Sequence, residues 1–270
     1  MDIPEYEYYG LMAAAWDLLR GDTSQWPDRT FYLDVIQASG EPVLDVGCGT
    51  GRLLLDYLQH GLDIDGVDNS PEMLAICRQK AEGLGLDPRL YFSTMQALDL
   101  PRRYRTILVP SSSFQLLVVP EDVGSALQRF RHHLMPGGAL AMSFYIPEAA
   151  EAAGSTTLED WEVIQEAVRP EDGATVRRWA RIEYDLVEKL EHTEDRYEVL
   201  LDGEIIDTEY HHWSPATRWY SLAEALNLFA QAGYVDIQAT SRFSQEPAGP
   251  DDRLFCVVAH APAVESVHPD

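Results

Sequence analysis

Val43-Leu44-Asp45-Val46-Gly47-Cys48-Gly49-Thr50-Gly51-Arg52 decides the fold. A short apolar run ends in a glycine-rich turn. Leu53, Leu54, Leu55 and Leu58 then follow at helical spacing up to His60, and Gly61 closes the helix. Glycine lets the backbone enter positive φ and lets a ligand approach the main chain with no Cβ in the way. A strand, a glycine turn and a helix in immediate succession open a parallel α/β sheet, with ligand chemistry at the carboxyl ends of the strands.

Outward from this stretch, strands and helices alternate. Leu62–Asp68 reads as a second strand, and Ser70-Pro71 opens a helix with serine as N-cap and proline at the first helical position. Leu90–Thr94 and Thr106–Val109 read as further strands. Asp122–Leu134 reads as a helix ended by Met135-Pro136-Gly137-Gly138, and Ala139–Ile146 as a fifth strand. From about Thr156 the pattern changes. Val176–Leu190 is one long alternating run, and Arg196–Leu201 and Glu204–Trp213 flank the hairpin dipeptide Asp202-Gly203. Ser221 and Glu224 have capping-box spacing before a helix that runs to Gly233, and Tyr234–Ala239 and Leu254–Ala259 finish the sheet. The expected architecture is α/β: a seven-stranded, mostly parallel sheet with an inserted antiparallel meander.

Composition excludes several classes of function. At 270 residues and 46% hydrophobic, the chain can bury a substantial core. Its longest apolar stretch, Ile107–Val119, is broken by Pro110 and three serines, well short of the ~18 residues that span a bilayer. Cys48, Cys77 and Cys256 have no CxxC spacing, and the acidic start Met1-Asp2-Ile3-Pro4-Glu5 is unlike a secretory signal; both point to reduced thiols in the cytoplasm. Against 45 acidic residues stand 20 basic ones, a net charge of −25 that repels a phosphate backbone. The basic runs Arg102-Arg103-Tyr104-Arg105 and Arg177-Arg178 with Arg181 are short, so nucleic acid is not an expected partner. No His-x-x-x-His or clustered carboxylate pattern predicts a metal. His60 and His132-His133 fit helix ends, where a cationic side chain complements the dipole, and His211-His212 fall beside Trp213 on the meander.

The glycine spacing discriminates between ligands. A dinucleotide fingerprint, Gly-x-Gly-x-x-Gly counted from Gly47, needs its third glycine at position 52, which is Arg52; here it comes one residue early, at Gly51. Asp45 lies just before the loop. S-adenosylmethionine carries an ammonium, a carboxylate and a sulfonium but no phosphate, and this turn suits it: Asp45 can hold the ammonium side while loop amides take the carboxylate. Asp68, at the end of the second strand, is placed for ribose hydroxyls; Asp63 and Asp65 come too early in that strand.

These residues resemble the class I S-adenosylmethionine-dependent methyltransferases, small-molecule branch. Asp45-Val46-Gly47-Cys48-Gly49-Thr50-Gly51 is similar to the family's first motif, and Asp68-Asn69-Ser70-Pro71-Glu72-Met73-Leu74 to its second. Tyr104–Gln115, with Pro110 and Ser111, resembles the fourth-strand motif, and Leu134–Leu140 the turn before strand five. The ordered set covers Pro42 to Tyr145. Two positions depart from the pattern: Thr94 lies where an acidic residue is common, and Arg105 where aspartate often starts strand four.

The resemblance implies a Rossmann-like sheet with helices on both faces and S-adenosylmethionine as cofactor. It assigns cofactor contacts to Asp45, Gly47, Cys48, Gly49, Gly51, Asp68, Asn69, Met73, Met95, Gln96, Pro110 and Ser111. It implies methyl transfer to a small-molecule acceptor by in-line displacement, with no dedicated catalytic residue required. A phenol or alcohol acceptor would need a base, for which His211, His212 or a tyrosine are the first candidates. An NAD(P)-dependent oxidoreductase and a non-catalytic nucleotide-binding protein of this fold stay open as alternatives. The expected organisation is a helical lid at 1–41 carrying Tyr6, Tyr8, Tyr9, Trp16 and Trp26, then a nucleotide-binding core at 42–150. An antiparallel insertion at 151–216 would be a substrate cover or the face of a homodimer. The core is completed at 217–262, and a tail follows at 263–270.

Overall fold

The structure is a computed structural model, and it describes residues 6–148 and 160–263. The start of the expected insertion, including Thr156, and all but the first residue of the expected tail lie outside the described residues. The chain forms two compact units: Met1–Thr23 with Glu148–Arg218, and Ser24–Pro147 with Trp219–Asp270.

The second unit is built on a seven-stranded sheet. In chain order its strands are β1 (Val43–Val46), β2 (Ile64–Asp68), β3 (Leu90–Phe92), β4 (Tyr104–Val109), β5 (Leu134–Tyr145), β10 (Val235–Ser241) and β11 (Leu254–His260). Their spatial order is β10-β11-β5-β4-β1-β2-β3. β1 pairs in parallel with both β2 and β4, and β11 runs antiparallel to β5 and β10 on either side of it. The strand order therefore reverses at β1, where crossovers leave in opposite directions and a crevice opens at the carboxyl ends.

Two-residue alternation divides the core. Leu44 and Val46 of β1 pack with Leu140, Met142 and Phe144 of β5 against Leu127 and Phe130 of α5 (Pro120–His133) and Phe229 of α6 (Leu222–Gln231). Val43, Leu108 and Ala141 face the opposite way. They join Phe31, Tyr32 and Ile36 of α2 (Pro27–Ser39), Leu53 to Leu55 of α3 (Arg52–Gln59) and Leu74 and Cys77 of α4 (Pro71–Leu84). Helices thus cover both faces, as the apolar pattern predicts. Ser70 caps α4 through its hydroxyl, which accepts from the Met73 amide at 3.1 Å, and Ser221 with Glu224 forms the full capping box of α6. Each such cap is worth about 1 kcal/mol.

The first unit pairs α1 (Gly10–Arg20) with the antiparallel strands β6 (Glu162–Val168), β7 (Thr175–Asp185), β8 (Leu190–Leu201) and β9 (Glu204–Arg218). Leu11, Ala15, Leu18 and Leu19 of α1 pack on Ala174, Val176 and Val199. Tyr9 provides no side-chain cap for α1; instead Glu209 accepts from the Leu11 amide at 2.9 Å, a carboxylate at the positive end of the helix. Asp202 and Gly203 both have positive φ, the backbone of the predicted two-residue hairpin.

Several element limits differ from expectation. The run Val176–Leu190 is broken after Asp185, whose carboxylate accepts from the Val187 and Glu188 amides and turns the chain with neither glycine nor proline. β6 is a further strand that no clean alternation announced. β5 begins at Leu134 rather than Ala139, because Met135–Gly138 continues the strand across an irregular register opposite Tyr104–Thr106. Of the expected 1–41 segment, α1 falls in the first unit and α2 in the second.

Candidate functional site

The carboxyl ends of β1, β2 and β4 bring the candidate residues together. The three glycines of the turn all have positive φ, and each is needed for a different reason. A Cβ on Gly47 would meet Ser113 Oγ at 2.9 Å; one on Gly51 would meet Cys77 Sγ at 2.6 Å and Leu55 Cγ at 2.8 Å. Those two are glycine because protein atoms lie against them. Gly49, at φ +54°, faces nothing within 4 Å. Open space over a left-handed residue is where a ligand can lie on the backbone.

The amides of this turn are largely engaged within the protein. Gly47 and Cys48 donate to the Val67 carbonyl at 2.8 and 3.1 Å, and Gly51 donates to the Cys48 carbonyl at 2.9 Å. Gly49 N–H donates to Asp68 Oδ2 at 2.8 Å. The loop amides expected to receive a ligand carboxylate thus close the turn itself. Asp68 also accepts from the Ser70 amide at 2.9 Å through Oδ1, which pins the carboxylate at the end of β2. Burial raises its pKa, while the amides of Ser70, Gly49 and Asn69 oppose the shift. Each oxygen retains acceptor capacity beyond one amide.

Asp45 is 1% exposed, on the α2–α3–α4 face of β1, and its Oδ1 has no hydrogen-bond partner. Desolvation pushes its carboxyl up to about 7, with Arg52 pulling the other way. An orphaned oxygen on a buried carboxylate is costly unless a donor arrives, and an ammonium is such a donor. Sequence reading missed the pair that flanks it. Asp28 of α2, 3% exposed, accepts two hydrogen bonds from the Arg52 guanidinium, one from Nη1 at 3.0 Å and the other from Nη2. The guanidinium also lies 5.1 Å from the Trp26 ring centroid and has Nη2 3.5 Å from Ser111 Oγ. Arg52 was visible as the residue replacing a third glycine, but its partner lies 24 positions away and only packing finds it.

The remaining candidates sort by burial. Cys48 is buried, and burial holds its thiol well above the ordinary range. Asn69 is half-buried after β2, whereas Met73 is wholly buried within α4 and packs in the core. Met95 packs against the core with its Cε 3.9 Å from where a Gly47 Cβ would be, and Gln96 keeps a buried Oε1 without a partner. Pro110 is buried at the end of β4, and Ser111 and Ser112 follow at φ 55° and 59°. Consecutive non-glycine residues in the left-handed region cost of order 1–3 kcal/mol each, and such strain concentrates at ligand sites. Arg105, one of the two positions that depart from the family pattern, is spent on the Ser39 and Pro136 carbonyls.

The histidines separate clearly. His133 is structural, accepting from the Leu100 amide at 2.9 Å, with Nδ1 2.8 Å from the Arg129 carbonyl. His60 and His212 are exposed, whereas His211 is buried in the first unit. Among the described residues no group of three His, Cys, Asp or Glu could hold a metal.

Residues 43–138 match a family described as a methyltransferase domain. Over these residues the chain is similar to methyltransferase domains. Over 137 residues the chain is 31% identical to dTDP-3-amino-3,4,6-trideoxy-alpha-D-glucopyranose N,N-dimethyltransferase of Streptomyces venezuelae, covering 50% of this chain and 52% of that one. Over 151 residues it is 28% identical to dTDP-3-amino-3,6-dideoxy-alpha-D-glucopyranose N,N-dimethyltransferase of Streptomyces fradiae, covering 54% and 58%. The chain thus spans little more than half the length of these curated relatives. Its fold is that of the crystal structure of an S-adenosylmethionine-dependent methyltransferase from Clostridium acetobutylicum, with a TM-score of 0.71, 18% identity, and 93% and 98% of the two chains covered. Nothing in these comparisons supports the oxidoreductase alternative.

Proposed function

We propose that this protein transfers a methyl group from S-adenosylmethionine to an amine nitrogen of a small molecule. The observation that carries the reading is the open backbone over Gly49, whose amide is held by Asp68, together with the orphaned oxygen of Asp45 on the strand that leads into the turn. The two N,N-dimethyltransferase relatives support nitrogen as the receiving atom. No helix among the described residues is long and apolar enough to cross a membrane, and all three cysteines are free and buried, which supports a cytoplasmic setting.

The residues present fit the cofactor. Asp68 would take the ribose hydroxyls on its remaining lone pairs, Asp45 Oδ1 would accept from the ammonium side, and Met95 and Gln96 would border the adenine. Arg52, held by Asp28 and Trp26, offers the cation beside the turn for a carboxylate. When bound, the cofactor supplies a methyl carbon on a sulfonium, a leaving group that needs no protonation. The protein's contribution is then orientation, which can supply on the order of 7–11 kcal/mol, and no nucleophile of its own is required.

Titration calorimetry with S-adenosylhomocysteine and with NADH tests the cofactor, and a methyl-transfer assay over paired amines and alcohols tests the acceptor. Binding of the first ligand and transfer to amines are expected. NADH binding without a response to S-adenosylhomocysteine would overturn the reading, and cofactor binding with no transfer across the panel would make this a binding protein.

A further inference from the structure

A second collection of buried ionisable groups lies in the first unit, on one face of its antiparallel sheet. Register places Asp195 of β8 directly opposite His211 of β9 and opposite Ala180 of β7, Thr193 opposite Trp213, and Tyr197 opposite both Arg178 and Glu209. Side chains alternate across a strand, so Glu191, Thr193, Asp195 and Tyr197 share this face. α1 covers its Val176–Val199 end. Beyond the helix start, the Tyr9 ring lies 4.4 Å from that of His211, whose other neighbour is Tyr197 at 5.4 Å.

This face is short of positive charge. Arg178 donates to Asp195 Oδ1 at 2.8 Å and to Gln165 Oε1 at 3.3 Å. Glu7 and Glu191 feel the same Asp195 and Arg178, so three carboxyls share one guanidinium. Desolvation, with Asp195 and Glu191 adding to it, pushes Glu7 up to about 8, and it therefore holds a proton at neutral pH. Glu209 is committed through Oε2 to the α1 amide and through Oε1 to His211 Nε2.

Unpartnered polar atoms on the same face are an independent sign of a ligand. His211 is 2% exposed; its Nε2 lies 2.8 Å from Glu209 Oε1, whereas its Nδ1 has no hydrogen-bond partner. Burial holds this imidazole below its ordinary pKa, against the pull of Glu209 and Asp195, and leaves it neutral near pH 7. Trp213 Nε1 is likewise buried without an acceptor. Groups like these are normally satisfied, and each one left alone costs about 1–3 kcal/mol.

We propose that this face binds an organic ammonium bearing a neighbouring hydroxyl, with the ammonium against Glu7 and Asp195 and the hydroxyl on Trp213 Nε1 or His211 Nδ1. An amino sugar or amino alcohol has this chemistry, and the Tyr9 and Tyr197 rings add π faces for the cation. Equating this cation with the methyl acceptor rests on the reading above; the binding itself does not.

The test is calorimetry on the full chain at pH 7 with methyl 3-amino-3-deoxyglucopyranoside and its 3-hydroxy counterpart, in two buffers of different ionisation heat. The amine should bind at least tenfold more tightly than the alcohol. The wild type should also release up to one proton more per amine bound than E7Q does, because Glu7 ionises only in the wild type. D195N, checked for folding by circular dichroism, should lose at least tenfold in amine affinity. Equal affinity for amine and alcohol, or the same proton count in E7Q as in wild type, would overturn the proposal. S-adenosylhomocysteine titrated separately distinguishes the two readings. If it binds and the amine does not, this inference fails alone; if the amine binds and it does not, the methyl-transfer reading fails alone.

Discussion

In the second unit Asp28 is held by Arg52, Asp65 by Arg89 and the Tyr104 hydroxyl, and Asp68 by two backbone amides, which leaves Asp45 with an unmatched oxygen. In the first unit Arg178 serves Asp195 while Glu7 and Glu191 crowd the same guanidinium. Pairing in one unit is nearly complete; in the other it is incomplete by about a whole charge. A buried carboxylate with its partners in place is architecture, since removing either partner is costly. One left wanting a donor holds a proton or awaits a ligand, and both units contain at least one.

Substitutions at six positions would break or sharpen this contrast. Gly51→Val should cost most, roughly 4 kcal/mol or outright unfolding in a urea titration, because its Cβ meets Cys77 and Leu55 at a left-handed φ. Gly49→Ala, which meets nothing, should lose only about 1–2 kcal/mol while abolishing S-adenosylhomocysteine binding; equal stability losses at both positions would refute the separation of packing from ligand space.

Arg52→Met strands a buried Asp28 and should cost about 3–5 kcal/mol. Arg178→Met should cost less, about 2–3 kcal/mol near neutral pH, because carboxyls already inclined to hold protons can take up another. That loss should grow from pH 6 to pH 9 in thermal denaturation; a pH-independent loss would mean that these carboxyls are fully paired.

Asp68→Ala should weaken S-adenosylhomocysteine binding about 10–100-fold by calorimetry, with Asp68→Asn closer to wild type because one amide acceptor remains. Unchanged affinity would remove Asp68 from the site.

The smallest effect concerns Asp45. Its folded pKa, raised to about 7, lies above the unfolded value of 3.8, so the folded state binds the extra proton between the two. Wild-type stability from this group therefore falls as pH rises from about 4 to 7 and is flat above. Asp45→Asn lacks this slope and should gain at least about 1 kcal/mol on wild type between pH 5 and pH 8, read from urea midpoints. Parallel curves would show that Asp45 is paired after all.

Much of this was legible in the chain. The Val43–Gly51 turn, the cap at Ser70-Pro71, the capping box at Ser221 and the Asp202-Gly203 hairpin are local, because each depends on dihedral preferences or hydrogen bonds within a few residues. β6 escaped notice because an edge strand with both faces partly wet shows no clean alternation. The end of β7 escaped because Asp185 turns the chain through its own side chain. Of the candidate site, the glycines and the strand-end aspartates could be named from spacing; Asp28 and the commitment of the loop amides could not.

From the sequence alone came the order of strands and helices, the glycine turn at the reversal of the sheet and the identity of the carboxylates at its strand ends, because backbone propensity and apolar period act over short distances. Only the tertiary structure decided which carboxylates find partners: Asp28 with Arg52, Asp68 with the Gly49 amide, and neither Asp45 Oδ1 nor the full charge of Glu7 and Glu191. Burial and pairing depend on groups brought together from distant parts of the chain, and the free energy of a carboxylate is set by those neighbours.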